Sequence, residues 1–259
     1  MGQDISGQLN EWSYDPHELN VRVVTGDDGQ SKIQLRVELG ILQMERDGRP
    51  DGERPFDSES LLDHLSAAAD ELGDEFELTG DDLEGLYREG LQYYRRYLAF
   101  FHLNWYDLLV RDTDRNLRLL AFVAKHAKRR KDRWRLDQFR PYLLMMNARG
   151  RALSLVEKGR REEAIQAVEA GCRRIEEFLS DYNRTPENTE CRELDMLKRL
   201  QVEIAADVVV SRPRSPRSVL EERLREAVSR EDYEQAAYFR DRLRKLPLAD
   251  DEGLGDPSI

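Results

Sequence analysis

The chain has 259 residues, 39% of them hydrophobic and 36% charged, and a formal net charge of −11. This composition lies at the polar end of the globular range, so it favours long solvated helices around a modest core over a compact α/β enzyme. No run approaches the ~18 apolar residues of a membrane span, and the first residues lack the basic and apolar parts of a secretory signal. We therefore expect a cytoplasmic protein that does not contact a membrane.

The charge is unevenly distributed along the chain. Residues 1–86 hold 22 acidic and 6 basic side chains, a net charge of −16, and the other 173 residues carry a net charge of +5. Two parts of opposite sign either attract each other or offer separate surfaces of opposite potential.

The N-terminal part predicts little regular structure apart from one hairpin. Residues 1–19 are expected to be flexible. Apolar residues alternate with polar ones in 20–25 and in 32–39, and the glycines and aspartates between them are typical turn residues. We expect strands only in these two segments. A lone hairpin is marginal in water, so its apolar face should lie against a helix or a partner.

The hairpin leads into a loop, and residues 20–56 are expected to form hairpin and loop together. The glycines and prolines in 47–55 predict a structured turn. Arg49, Asp51 and Arg54 in this turn have two interpretations. They form a polar recognition loop, or they combine turn chemistry with surface charge, and we prefer the second interpretation.

Residues 57–210 predict a body in which helix follows helix. Ser58 and Thr79 are typical residues at helix starts, and leucines and aromatic residues recur at helical spacing as far as Ile204. The expected fold class is mainly α, an irregular TPR-like helical repeat body with a small N-terminal β-hairpin and a C-terminal helical hairpin.

Two helical pairs in this body resemble tetratricopeptide units. The stronger pair has small and large residues around a turn glycine: Ala152, Leu155, Gly159, Ala164 and Val168. The weaker pair has a similar pattern: Tyr97, Phe100, Asn104, Leu109 and Thr113. The turns at 104 and 159 are 55 positions apart, against about 34 for a regular array, so a short and irregular α-solenoid is expected.

A basic cluster follows in the middle of the body. Besides Lys125 it consists of Lys128, Arg129, Arg130, Lys131, Arg133, Trp134 and Arg135. Cations beside an aromatic ring can track phosphates and stack on a base, which indicates possible nucleic-acid binding. Two other interpretations stay open. The cluster is a solvated helix end whose cations complement the helix dipole, or it docks the acidic first part of the same chain.

Signals for catalysis are weak throughout the sequence. No phosphate-binding, dinucleotide-binding or serine-hydrolase motif occurs. Cys172 and Cys191 give neither a disulfide framework nor the close pairs of a zinc site, so no metal or other cofactor is expected. His102 lies in an aromatic-rich helix and is interpreted as a packing residue. We expect a protein that is not an enzyme.

The rest of the chain divides into three segments by composition. Residues 211–218 contain two prolines and three arginines and predict an extended linker. Residues 219–247 predict two short amphipathic helices folded against each other, with Asp232 as N-cap of the second helix and Pro247 as its end. Residues 248–259 are acidic and predict a disordered tail.

The predicted hairpin resembles the UVR (UvrB/UvrC) motif, which the excinuclease proteins UvrB and UvrC share with activators of a bacterial protein-arginine kinase. The resemblance covers 219–246 and centres on Asp232-Tyr-Glu-Gln-Ala-Ala-Tyr-Phe-Arg-Asp241, where the family usually has Phe at the position of Tyr233. Residues 39–52 are also similar to bacterial proteins of uncharacterised function that carry the same hairpin.

The resemblance implies that two such hairpins pair into a four-helix bundle. The implied partner-binding residues are Leu220, Leu224, Ala227, Tyr233, Ala236, Ala237, Phe239, Arg240 and Leu243. We therefore expect a non-enzymatic adaptor or scaffold that recruits a UVR-containing protein or dimerises. Three alternatives stay open. The chain is an accessory factor of nucleotide-excision repair that contacts DNA, it regulates a protein kinase or protease, or the hairpin packs on its own domain. The arginine-kinase activators carry zinc-binding cysteines that this chain lacks.

Overall fold

The computed structural model describes most of the chain: residues 4–182, 190–206, 224, 235 and 237–240. The chain divides into two compact units, Met1–Val210 and Ser211–Ile259. The described part of the first unit holds a three-stranded sheet and eight α-helices, which confirms the mainly α fold class. The predicted linker and acidic tail lie outside the described residues, as does the predicted C-terminal hairpin except at six positions.

A small antiparallel sheet begins the fold. A short helix α1, Ser6–Glu11, lies within the segment that was predicted to be flexible. Strand β1 is Asn20–Thr25, strand β2 is Ser31–Val37 and strand β3 is Gly40–Glu45, in the order β1-β2-β3. The prediction of strands only within 20–39 was therefore one strand short.

The third strand exists because the chain turns back at once after β2. Val37 pairs with Gly40, and the turn between them leaves Leu39 86% exposed, although the alternation placed Leu39 on the apolar face. Ile33 pairs with Met44, and both side chains are buried. The apolar face of the sheet thus includes β3, which the sequence analysis had joined to the glycine-rich loop.

Capping residues define the start of the next helices. The cap of helix α2, Leu61–Leu72, is Ser60, two residues after the expected Ser58, because the Ser60 hydroxyl accepts from the Asp63 backbone N–H. Helix α3, Gly80–His102, starts with a capping box between Thr79 and Asp82. These side chains satisfy backbone N–H donors that have no partner within the helix, which fixes where the helices begin.

The longer helices form pairs joined by tight turns. Helix α4 is Tyr106–His126, and the turn before it contains Asn104 with a φ of 60°. The remaining helices are α5 Arg130–Asp137, α6 Arg140–Glu157, α7 Arg161–Asp181 and α8 Arg192–Ala205. Gly159, between α6 and α7, has a φ of 72°. Both residues predicted as turns are therefore turns, whereas the TPR-like nature of the pairs stays a prediction.

One continuous core joins the sheet to the helices. Ile33 and Met44 of the sheet belong to the same cluster as residues of α2, α3, α4, α6, α7 and α8. Helix α6 packs against α4, α7 and α8 and is the central element of this core. None of the helices in the described residues is both long enough and apolar enough to cross a bilayer.

Candidate functional site

Ion pairs in the interior hold α3 against α4. Arg96 Nε lies 2.7 Å from Asp112 Oδ2 and Nη2 lies 3.0 Å from Oδ1, and both side chains are 1% exposed. Glu89 and Arg115 form the second pair, also buried. We call Glu89, Arg96, Asp112 and Arg115 the buried charge cluster. A bidentate guanidinium–carboxylate contact of this kind fixes the orientation as well as the distance of the two helices.

The buried charge cluster also anchors the start of α2. Glu89 accepts from the backbone N–H groups of Leu61 and Leu62 at 2.8 and 3.2 Å. A carboxylate at a helix N-terminus is stabilised by the helix dipole as well as by these bonds. Burial lowers the pKa of Arg115 to about 9, and the Glu89 carboxylate beside it favours the charged guanidinium. Three helices therefore meet at Glu89.

The loop after β3 docks on the same cluster. Arg96 Nη1 donates to the Glu45 carbonyl at 2.9 Å. Arg49 lies 3.0 Å from Asp51 and 3.6 Å from Glu89, and Gln92 donates to Asp51 at 2.7 Å. Two of the three polar residues singled out in this loop thus contact α3 or each other. These contacts position the loop on the helices. The choice between a recognition loop and turn chemistry with surface charge stays a prediction.

The third loop residue has a different environment. Arg54 pairs with Glu59 at 2.7 Å, and both side chains are about two-thirds exposed, at 64% and 65%. Exposed pairs of this kind contribute little to stability. Arg54 therefore plays no part in anchoring the loop.

In the structure, the members of the basic cluster make different contacts. Lys128 lies 2.5 Å from Glu77, and Arg135 lies 2.6 Å from Glu84. Hydrogen bonds from Arg135 and then Arg88 hold the pKa of Glu84 below its usual value. Both carboxylates belong to the acidic first part of the chain. Such contacts are expected if the basic cluster docks that part of the same chain.

The other cluster residues divide between structural contacts and open surface. Arg133 Nε donates to the Ala127 carbonyl at 2.7 Å, and the Trp134 ring lies 4.9 Å from the Tyr182 ring, against the core. Arg129 lies 3.6 Å from Asp132. Arg130 and Lys131 form no ion pair within the described ranges. Trp134 is thus a packed residue rather than an open platform for a base.

A basic groove runs between α4, α5, α6 and α7. Its volume is about 800 Å³, and five cations line it: Lys128, Arg130, Arg133, Arg140 and Arg174. Three carboxylates share the groove: Asp137, Glu177 and Asp181. Asp137 is engaged by Arg140 at 2.6 Å and by the Tyr182 hydroxyl at 2.7 Å. The sequence analysis missed Arg140 and Arg174, because they join the cluster only through helix packing.

A second concavity, the aromatic cavity, lies between α3, α4, α5 and α6. Its volume is about 390 Å³, and its aromatic lining residues are Tyr87, Tyr94, Tyr97, Phe139 and Tyr142. The recurring aromatic residues predicted a helix here, but the sequence analysis recognised no cavity. The several tyrosines along α3 could have indicated an aromatic surface. Which helices pack opposite them, and so form a cavity, depends on the tertiary structure.

Few residues of the C-terminal segment are described. Phe239 is 9% exposed, whereas the neighbouring Tyr238 is 55% exposed, and their ring centroids lie 5.3 Å apart. Leu224 and Ala237 are half-buried, and Arg240 is exposed. The other implied partner-binding residues lie outside the described residues: Leu220, Ala227, Tyr233, Ala236 and Leu243. The adjacent aromatic rings therefore offer a matched pair, one covered and one open to solvent.

The histidines and cysteines of the described part are the residues to consider as metal ligands and as reactive groups. No group of three or more His, Cys, Asp or Glu side chains within 4–182 and 190–206 has the arrangement of a metal site. Burial lowers the pKa of His102, which favours the neutral imidazole. Cys172 and Cys191 are both free thiols, and burial raises the pKa of each.

Comparison with known proteins gives one match. The model of the UvrB/uvrC motif matches residues 218–246. No curated protein and no solved structure matches the chain. The presence of a UVR motif, which was the resemblance drawn from the sequence, is therefore confirmed for this segment.

Proposed function

We propose that the chain is a non-enzymatic adaptor, which recruits a protein partner through its C-terminal UVR motif. The observation that carries this proposal is the match of the motif to residues 218–246. The partner that the motif favours is a second UVR hairpin, either in another protein or in a second copy of this chain. The helical body is then the part that the motif brings to the partner.

The size of the motif supports an interaction role. A match of 218–246 spans 29 residues, and chains below about 40 residues rarely bury enough apolar surface to fold without support. Pairing with a second hairpin supplies that surface. Aromatic residues that become fully desolvated are the usual anchors of such an interface.

In this proposal, the two adjacent aromatic residues of the motif have different roles. Phe239 is 9% exposed in the single chain, so its ring holds the motif in the shape that a partner recognises. Tyr238, at 55% exposed, contributes much less to that shape. Arg240 is exposed, and as a rim charge it sets pairing orientation and association rate more than affinity.

The experiment compares the full chain with a chain that ends at Val210, the boundary of the first unit. Sedimentation velocity measures self-association, and binding to a purified C-terminal UVR hairpin of UvrB measures recruitment. We expect association by the full chain and none by the shorter chain. Circular dichroism checks that the shorter chain stays helical. Equal association by both chains, with the helices intact, would contradict the proposal.

A second candidate function rests on the basic groove. Five cations against three carboxylates give the groove a net positive charge, which suits the backbone of single-stranded DNA. In that case the chain is an accessory factor of nucleotide-excision repair that contacts DNA. The two candidates are separable because they depend on different units of the chain.

A further inference from the structure

The aromatic cavity has the size and the walls of a small-molecule site. Its volume of about 390 Å³ lies in the range of ligand pockets, which are mostly apolar with a few polar groups. The remaining lining residues are apolar except for one asparagine: Gly90, Leu91, Asn116, Leu119, Leu120, Leu136 and Leu143. Phe139, 50% exposed, and Tyr94, 37% exposed, are its most accessible aromatic residues.

Among the residues that the structure describes, no charged side chain lines this cavity. The one amide is already engaged, because Asn116 donates to the Gly90 carbonyl at 3.0 Å and accepts from Arg115 at 3.0 Å. A charged ligand would lose its hydration without gaining a counter-charge, which is strongly unfavourable. The lining therefore selects for an uncharged ligand.

The phenol groups give the cavity its polar specificity. Tyr97 is 2% exposed, and its hydroxyl makes no hydrogen bond to any residue that the structure describes. Burial raises the pKa of Tyr97 far above its usual value and that of Tyr142 to about 12. Both hydroxyls are thus protonated at neutral pH and can donate. The Tyr97 hydroxyl keeps some accessible surface and is not sealed in the core. A ligand acceptor that enters the cavity can therefore accept a hydrogen bond from it.

We propose that the aromatic cavity binds an uncharged aromatic small molecule whose hydrogen-bond acceptor meets the Tyr97 hydroxyl. The rings of Tyr94, Tyr142 and Phe139 offer faces and edges against which a planar molecule can pack. This site lies in the helical body and does not depend on the UVR motif.

The experiment uses two fluorescent probes on the full chain. Prodan is an uncharged naphthalene with a carbonyl acceptor, and 6-(p-toluidino)-2-naphthalenesulfonate is a 2,6-substituted naphthalene that carries a negative charge. We expect saturable 1:1 binding of prodan with a blue-shifted emission, and binding of the sulfonate that is at least about tenfold weaker, because of its charge. No saturable prodan binding, or equal affinity for both probes, would overturn the proposal.

Variants then locate the probe in the cavity. Tyr97→Phe keeps the ring but removes the donor, so prodan should bind about three- to tenfold more weakly and emit further to the blue. Leu91→Trp fills the cavity and should abolish binding, with circular dichroism to check folding. Tyr14→Phe removes a hydroxyl from a tyrosine outside the cavity and should change nothing. Unchanged prodan affinity and emission in Tyr97→Phe would place the probe elsewhere and overturn the assignment, even if Leu91→Trp fails to fold.

Discussion

The helical body and the C-terminal segment use their side chains in different ways. In the body, the most deeply buried charged residues hold helices together. Arg96 and Asp112, for example, are 1% exposed and are therefore not accessible to another protein. The C-terminal segment carries the matched motif at 218–246, with an open Tyr238 beside a covered Phe239. The comparison teaches that buried charged residues in this chain stabilise the fold of the body. The proposed interaction surface lies instead in the C-terminal motif. Substitutions should therefore change stability in one region and association in the other.

The largest expected effect is in the body. Replacing Arg96 by Met leaves the buried Asp112 carboxylate with only Arg111, 36% exposed and 3.0 Å away, as an ion-pair partner. This loss should lower the free energy of unfolding by about 3 kcal/mol. The double variant Arg96→Met with Asp112→Leu removes both charges and should recover much of the loss. Urea unfolding of both variants measures this. A single variant as stable as the original chain would show that the pair is not structural.

A close approach of helices should give the next largest effect. A Cβ built on Gly171 of α7 lies 2.4 Å from the Ala148 Cβ of α6, whereas one on Gly80 meets nothing within 4 Å. Gly171→Ala should therefore lower the free energy of unfolding by about 1–3 kcal/mol, and Gly80→Ala, the control, should not lower it. Thermal melts distinguish the two variants. Equal stability of both would mean that α6 and α7 do not pack this closely.

The basic cluster should matter much less for stability. Changing Arg129, Arg130 and Lys131 to Glu affects exposed or weakly paired cations, so the free energy of unfolding should change by less than about 1 kcal/mol. If the second candidate function is right, single-stranded DNA binds the chain with an affinity that falls steeply with salt. This variant should then weaken the binding, because it reverses the charge of Arg130 in the basic groove. Arg199→Glu on α8 is the matched control. No DNA binding at low salt would remove the second candidate.

The smallest expected effect is a pH dependence at a surface contact. Hydrogen bonds from Ser154 and then Lys158 lower the pKa of Asp107. A carboxylate with a lowered folded pKa adds stability above its usual pKa of about 4, and this contribution is lost as the pH falls through the lower folded value. As the pH falls below about 4, the Asp107→Asn variant should therefore lose less folding stability than the original chain. Melts against pH test this, with the exposed Asp74→Asn as control.

The sequence predicted helices better than it predicted sites. Thr79 and the periodic leucines located the helices because caps and 3.6-residue spacing act locally. Strand β3 was missed because its glycine was assigned to the following loop. The pairing of Arg96 with Asp112 joins two helices, and their crossing is set by packing that spacing along one helix does not reveal.

The candidate sites show the same limit. The basic groove gains Arg140 and Arg174 from other helices, and the aromatic cavity is enclosed by four helices. The UVR motif was found from the sequence because its residues are contiguous. A site assembled from several elements leaves no such pattern in a single sequence.

The central claim, that the UVR motif mediates association, is tested most directly by the two adjacent aromatic residues. The measurement is the dissociation constant of the full chain for itself, or for the UvrB hairpin, beside a thermal melt of each variant. We predict that Phe239→Ala weakens association by about 2 kcal/mol, roughly 30-fold. Tyr238→Ala should weaken association far less, and the melt of the helical body should stay unchanged in both variants. Unchanged association together with a sharply lowered melt of the helical body in Phe239→Ala would contradict the claim, because the motif would then stabilise that body instead of recruiting a partner.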